Sequence, residues 1–365
     1  MTGGRESTVR ALVVDGPGAP PTVRPVRLPA PGAGQVRVRV RAAGVCHSDL
    51  SMADGTIAAP YPLVLGHEAA GVVVEVGPAV TRVAPGAHVV LNWAPPCRAC
   101  WFCGRGEPWL CAAIGGPAAR RGRTAGGDPL HVALGLGALA EEVVVEQAAV
   151  IPVPADLPFE AAALLGCAVL TGSGAVRRTA GVAAGESVLV IGLGGVGLAA
   201  VAAARAAGAD PVLAVDRAAA KRELALAAGA SAFLPADDTL SRAVRELTGG
   251  RGVDHALECV GRAATIRAAW RATRRGGQVI VVGMGAKDDL VGLSALEIFH
   301  SARTLRSSVY GSSDPDRDLP ELAGAVLSGR LDLALLISAE TSLDGAAAAL
   351  DRLAAGEGAR TVVRP

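Results

Sequence analysis

The sequence predicts an α/β protein of two domains, a compact β-barrel-like one followed by a doubly wound one with a parallel sheet. Short β-rich runs separated by glycine and proline occupy residues 1 to 150, and a regular alternation of strand-like and helix-like segments begins at Ser187. A chain of 365 residues, 51% of them hydrophobic, is also long enough for about two cores of ordinary size.

In the first part the strand-like runs are Gln35 to Ala42, Ala70 to Val76 and Ala87 to Leu91, with no long helix between them. Residues 115 to 128, GGPAARRGRTAGGD, read as the one clearly flexible loop, with Arg120, Arg121 and Arg123 solvated. No internal repeat or low-complexity linker interrupts the chain.

In the second part Ser187 to Ala204 runs eighteen residues without a charge, the length of a short membrane span. Four glycines at its centre, and the run Val188-Leu189-Val190-Ile191 before them, point instead to a buried strand, a turn and an Ala-rich helix reaching Ala207. The alternation continues with a strand Pro211 to Val215, a helix Arg217 to Ala228 and a helix Asp238 to Leu247. A strand Val253 to Cys259, a helix Ala263 to Thr273 and a strand Gln278 to Val282 complete it.

A formal net charge of +1 carries no electrostatic footprint for nucleic acid or an anionic membrane, so the expected partner is a small molecule. The start, MTGGRESTVRALVV, lacks the apolar core and small-residue cleavage site of a secretory signal, and a cytoplasmic location is expected. Lysine occurs only at Lys221 and Lys287; the prevalence of arginine carries no functional reading.

Seven cysteines in a reducing compartment are ligands or reactive thiols rather than disulfides. Cys97, Cys100, Cys103 and Cys111 have the spacing C-x2-C-x2-C-x7-C on a segment that Pro95, Pro96, Gly104, Gly106 and Pro108 keep from forming one helix. Four thiolates close a tetrahedral zinc site, which makes it structural. An iron–sulfur cluster shares the ligand set, and unpaired surface thiols are the bland alternative.

Two other cysteines keep different company. GVCHSDL supplies Cys46 with Asp49, GHEAAG supplies His67 with Glu68, and GCAVLTG supplies Cys167. One nitrogen and two sulfurs leave a fourth zinc position for water or substrate, as catalysis requires. Taken singly, Cys167 also suits an apolar core and His67 a solvated turn.

Gly192-Leu193-Gly194-Gly195-Val196-Gly197 is G-x-G-x-x-G placed directly between a strand and a helix. Its glycines allow a tight turn and the approach of a pyrophosphate to the helix N-terminus. Asp216 ends the next strand nineteen residues beyond Gly197, where a carboxylate meets the ribose 2′-hydroxyl and selects NAD over NADP. It could equally cap the helix that follows.

These motifs, GVCHSDL, GHEAAG, the four-cysteine lobe, GCAVLTG and GLGGVG, together resemble the zinc-dependent medium-chain alcohol dehydrogenases over nearly the whole chain. The resemblance extends to GSSDPDRDLPELAGAVLSGRLDLALL, residues 311 to 336, where family members return to the catalytic domain. It implies a GroES-like catalytic domain, residues 1 to 171 with 311 to 365, and an inserted Rossmann domain, residues 172 to 310, with the active site in the cleft. It implies two zinc ions per chain and NAD(H). Catalytic zinc would lie on Cys46, His67 and Cys167, with Glu68 as a further carboxylate near the metal and Asp49 orienting His67. Ser48 would start the proton relay and His47 would meet the cofactor pyrophosphate. Asp216, Arg217 and Lys221 would complete the cofactor side with the glycine turn, Trp93 and Ile57 would line the substrate pocket, and the strand near Arg303 to Val309 would join two chains as a homodimer.

Two departures qualify this. Ser51 stands where many members carry the outer relay histidine, and Ala112-Ala113-Ile114-Gly115-Gly116 stand where the glutathione-dependent branch has an arginine, which argues against a glutathione adduct. Three functions follow in order: an NAD-dependent alcohol dehydrogenase or the matching carbonyl reductase, a biosynthetic imine or conjugated-alkene reductase on the same scaffold, and a zinc-stabilised dinucleotide-binding module without turnover.

Overall fold

A computed structural model describes residues 6–114 and 118–365. The chain divides into two compact units, Met1–Cys167 with Asp314–Pro365, and Ala168–Ser313.

In the first unit the strands Ser7–Val14, Thr22–Leu28, Ala118–Thr124, Pro129–Ala133 and Leu63–Val64 close into a barrel. A second, seven-stranded sheet is built around Gln35–Gly44, which pairs with Glu68–Val76, Glu142–Glu146 and the C-terminal strand Arg360–Arg364. The sequence of the central strand explains its place: Val36, Val38 and Val40 alternate into the core while Arg39 and Arg41 face out. Arg37 breaks the alternation. It is buried at 4% exposure because Glu75 and the carbonyl of Pro29 take up its guanidinium at 3.1 and 3.0 Å.

The second unit is a six-stranded sheet in the order Ala232–Pro235, Val212–Asp216, Val188–Ile191, Val253–Glu258, Thr273–Val281, Thr304–Ser307. Every pairing is parallel, and the order, third-second-first-fourth-fifth-sixth, is that of a doubly wound dinucleotide fold. All four residues of Val188–Ile191 are buried, as a central strand covered on both faces requires. The apparent membrane span is this strand plus the helix Gly195–Ala206. The edge strand Thr304–Ser307 has all four residues exposed, with Phe299 and Leu296 also exposed beside it in sequence.

Several expectations need correction. Residues 118–124 are a strand of the barrel rather than part of a flexible loop; residues 115–117 lie outside the described ones. Arg120 and Arg123 are exposed as expected, but Arg121 is half-buried and its side chain donates to Glu146 at 2.5 Å. The helix after Asp216 is shorter and broken, a 3-10 turn Ala219–Lys221 followed by Arg222–Ala227. The strand Ala232–Pro235 and a helical run Phe159–Ala180 were not apparent in the sequence. That run is 22 residues long and apolar enough to span a membrane, and 89% of its most apolar 18-residue stretch is buried within the protein.

Candidate functional site

Sheet register assembles the first cluster. Gly44 lies opposite Glu68 on one side, and Ala43 and Gly44 lie opposite Val363 and Val362 on the other. The chain that leaves this strand as Val45 and Cys46 is thereby flanked by His67 and Glu68 and by Arg360. A Cβ on Gly44 would stand 2.1 Å from a Glu68 oxygen, so glycine is required there. Gly66, at φ +100°, turns the chain so that His67 faces inward, and a Cβ there would meet Leu139 N at 2.2 Å.

Cys167 arrives from the helical run Phe159–Ala180, within a π-helical turn Leu165–Val169. Gly166 beside it permits the approach, since a Cβ would lie 2.5 Å from the carbonyl oxygen of Leu91. The two sulfurs and a ring nitrogen of His67 all lie within 4.8 Å of one another, and all three residues are buried. This set can hold a metal ion.

Asp49, fully buried, organises the cluster from the helix His47–Asp54. One carboxylate oxygen accepts from the backbone N–H of Cys46 at 2.9 Å; the other accepts from the N–H of Gly66 at 2.9 Å and from His67 Nδ1 at 3.0 Å. With Nδ1 committed, Nε2 faces the thiols, buried and without a hydrogen-bond partner. Ser48 Oγ lies 4.0 Å from Cys46 Sγ, and His47 is exposed on the first turn of the helix.

Arg360 is the participant the motifs did not announce. Its Nε and Nη2 donate to the two oxygens of Glu68 at 3.1 and 3.0 Å, Nη1 donates to the carbonyl of Val45 at 3.2 Å, and Nη2 lies 3.5 Å from Cys46 Sγ. Both partners are buried. A cluster holding two thiols and two carboxylates needs a resident cation, and that requirement is the signal that could have found it.

The electrostatics divide the two thiols. The Cys167 thiol bonds to Cys46 and draws the Cys46 pKa well below its usual value despite burial, with the charges of Arg360 and His67 adding to the effect. The same bond and burial push Cys167 up. Burial opposes a charge on His67, but Asp49 and Cys46 hold it well above the usual imidazole range. Burial raises Glu68, and Arg360 offsets part of the rise.

The second cluster is the four-cysteine lobe, whose sulfurs also lie within 4.8 Å of one another. Tetrahedral thiolates about 2.3 Å from zinc are about 3.8 Å apart; Cys100 and Cys111 are 3.9 Å apart. Backbone N–H groups of Cys97 and Ala113 donate to Cys111 Sγ at 3.2 and 3.4 Å, and that of Cys100 to Cys97 Sγ at 3.3 Å, the pattern that favours thiolates. A backbone N–H bond from Cys103 brings Cys100 down to about 6, whereas burial pushes Cys103 up to about 12. All seven cysteines are free of disulfides.

The third feature is the glycine turn. Gly192 has φ +92° and a Cβ on it would meet Val260 at 2.5 Å; a Cβ on Gly197 would meet the carbonyl oxygen of Gly192 at 1.8 Å. A Cβ on Gly194 would meet nothing within 4 Å. The protein thus requires the outer glycines for its own packing and leaves open space at the middle one, where a pyrophosphate would approach. Asp216 accepts from the N–H of Leu193 at 2.8 Å and of Ala218 at 2.9 Å, with Lys221 Nζ 3.5 Å away. Arg217 is exposed; Trp93 and Ile57 are half-buried against the core of the first unit.

Family models agree with this arrangement. Residues 32–155 match the alcohol dehydrogenase GroES-like domain and residues 195–328 the zinc-binding dehydrogenase domain. The chain is 36% identical over 364 residues to an NDMA-dependent alcohol dehydrogenase of Amycolatopsis methanolica, covering 97% of this chain and 98% of that one. It is 34% identical over 366 residues to an S-(hydroxymethyl)glutathione dehydrogenase of Photobacterium damsela subsp. piscicida, covering 97% and 99%. An alcohol dehydrogenase zinc-binding domain protein from Burkholderia ambifaria superposes with a TM-score of 0.93 at 34% identity over 99% of both chains. Matches to both domain models, with 34–36% identity over nearly the whole of both chains, place the chain in the zinc-dependent medium-chain alcohol dehydrogenase family of oxidoreductases.

Proposed function

We propose that the chain transfers hydride between NAD(H) and an alcohol or its carbonyl counterpart, at a zinc site formed by Cys46, His67 and Cys167. The observation that carries this reading is His67 Nε2, buried and without a hydrogen-bond partner beside two buried thiols. A buried polar nitrogen left without a partner costs about 1–3 kcal/mol unless a ligand satisfies it. Zinc bound there would keep its fourth position open and stabilise negative charge on the substrate oxygen as a Lewis acid.

The chain's own residues do the rest. Asp49 fixes the His67 tautomer and Arg360 holds Glu68 and favours the Cys46 thiolate. Ser48 takes the proton of the substrate hydroxyl and returns it in the reverse direction. Ser51 carries no base, so the proton leaves through solvent or the cofactor ribose. Trp93 and Ile57 contribute an apolar side to the substrate site. Ser48→Ala is expected to lower kcat about 10²–10⁴-fold with little change in NAD affinity. Full kcat in that variant, with a primary deuterium isotope effect showing that hydride transfer limits the rate, would move the reading to imine or conjugated-alkene reduction.

In this reading residues 1–171 with 311–365 form the catalytic domain and 172–310 bind the dinucleotide. Gly192, Gly194, Gly195, Val196 and Gly197 admit the pyrophosphate, which His47 meets, and Asp216, with Arg217 and Lys221 beside it, selects an unphosphorylated ribose. Asp216→Asn keeps an acceptor for one of the two N–H groups, since Leu193 and Ala218 donate to different oxygens, and loses the charge that repels a 2′-phosphate. The ratio of kcat/KM for NAD over NADP, read from absorbance at 340 nm, is therefore expected to fall. An unchanged ratio would leave Asp216 as a brace of the glycine turn.

Cys97, Cys100, Cys103 and Cys111 hold a second, structural zinc. The exposed edge Thr304–Ser307 joins two chains into a dimer. Analytical ultracentrifugation is expected to give the mass of two chains, and a monomer at working concentration would refute the assignment.

A further inference from the structure

We propose that zinc in the four-cysteine lobe and the cap of the helix Pro315–Leu327 are thermodynamically linked through Arg98, so that each stabilises the other. The proposal rests on the reading of that lobe as a zinc site.

Arg98 lies inside the first C-x2-C, between Cys97 and Cys100, and adopts φ +61°. A left-handed conformation costs a residue with a Cβ about 1–2 kcal/mol and persists where its surroundings impose it. Here the bend lies on the turn from Cys97 to Cys100, and the guanidinium is taken up by two carboxylates. Nη1 and Nη2 donate to the two oxygens of Asp314 at 2.8 and 2.5 Å, and Nη2 also donates to Asp316.

Asp314 is the residue at which the chain re-enters the first unit, and it is the N-cap of the helix, accepting from the N–H of Asp316 at 3.2 Å. Arg82 donates to Asp316 as well, and its Nε donates to the carbonyl of Val150 at 2.7 Å. An isolated surface ion pair contributes little, but a bidentate fork shared among four charges with a fixed backbone anchor is the arrangement that does contribute.

The coupling follows. Without the metal, no bonds hold the four sulfurs within 4.8 Å and the left-handed bend loses that support, so the guanidinium leaves Asp314. With the metal, the lobe presents Arg98 ready-made to the helix cap. Linkage is reciprocal, so loosening the cap must weaken metal retention by the same factor.

Two variants of the full-length, zinc-loaded protein separate the parts. Asp314→Ser keeps an oxygen to cap Asp316 but removes the fork, and Arg98→Met removes it from the other side. At equilibrium with a competing chromogenic chelator, the zinc affinity of the lobe is expected to fall about fivefold or more in each variant, the lower end of ordinary coupling. Comparison with Cys46→Ala assigns the released zinc to the lobe. Hydrogen exchange at residues 316–319 should rise on stripping the lobe in the parent, and should be already raised and unresponsive to stripping in Arg98→Met. Parent-like release from both variants, or amides at 316–319 that ignore stripping, would overturn the linkage while leaving the zinc assignment intact. No zinc in the lobe by elemental analysis would overturn both.

Discussion

Cys46→Ala is expected to abolish turnover and to reduce bound zinc from two ions per chain to one. Zinc in a catalytic site relies on three protein donors, and removing a sulfur leaves only His67 and Cys167. Loss of Lewis-acid stabilisation is worth several kcal/mol, a fall of about 10³-fold or more in rate. The fold should survive, because the Asp49 carboxylate accepts from the backbone N–H of Cys46, which the variant keeps. Circular dichroism, elemental analysis and turnover on one preparation decide the matter. Two zinc ions retained with activity intact would remove Cys46 from the site, and a collapsed fold would show that the sulfur is structural.

Arg360→Met is expected to cost about 3–5 kcal/mol of unfolding free energy, because it breaks a buried ion pair and takes from Glu68 the guanidinium that bonds both its oxygens. Glu68 already has a raised pKa from burial, and loss of the guanidinium raises it further in the folded state only. A carboxyl that ionises less readily folded than unfolded makes stability fall as pH rises above the ordinary carboxylate range, until the folded pKa is passed. The deficit against the parent should therefore be smallest in acid and grow toward neutrality. Glu68→Gln in the same chain should recover much of it, since the remaining side chain carries no charge. Urea unfolding at several pH values provides the measurement; midpoints that coincide with the parent throughout would mean that the pair contributes nothing.

The parts of the site that could be read in the sequence are those set by local spacing. The cysteine lobe, the glycine turn with Asp216, and Asp49 within reach of His67 are each carried by one short motif or by two neighbouring ones. Arg360 is 292 residues from Glu68, and Ala359-Arg360-Thr361-Val362-Val363 looks like any edge of a strand. Only the antiparallel register of Val362 against Gly44 brings it to the site.

The helical run carrying Cys167 was hidden for a different reason. Gly166, Gly172 and Gly174 weaken helix propensity, yet they are required because backbone oxygens pass within 2.5 Å of where each Cβ would be. Close packing selected residues that local propensity counts against a helix. The strand Ala118–Thr124 was obscured likewise, since its arginines and glycine carry no β signal and its pairing with Pro129–Ala133 supplies the order.

The dependence of the first unit on Arg360–Arg364 also sets an order in time. A ribosome completes Ala168–Ser313 as one uninterrupted stretch, and that unit has every strand it needs before the rest of its host exists. Residues 314–365 follow over roughly 3–10 s at ordinary elongation rates. Throughout that interval the sheet around Gln35–Gly44 lacks the strand that carries its cation. Biogenesis of the buried cysteine–histidine cluster is therefore the last event of synthesis, and a nascent chain cut short before Arg360 holds a complete six-stranded sheet but a cluster without the guanidinium that bonds Glu68.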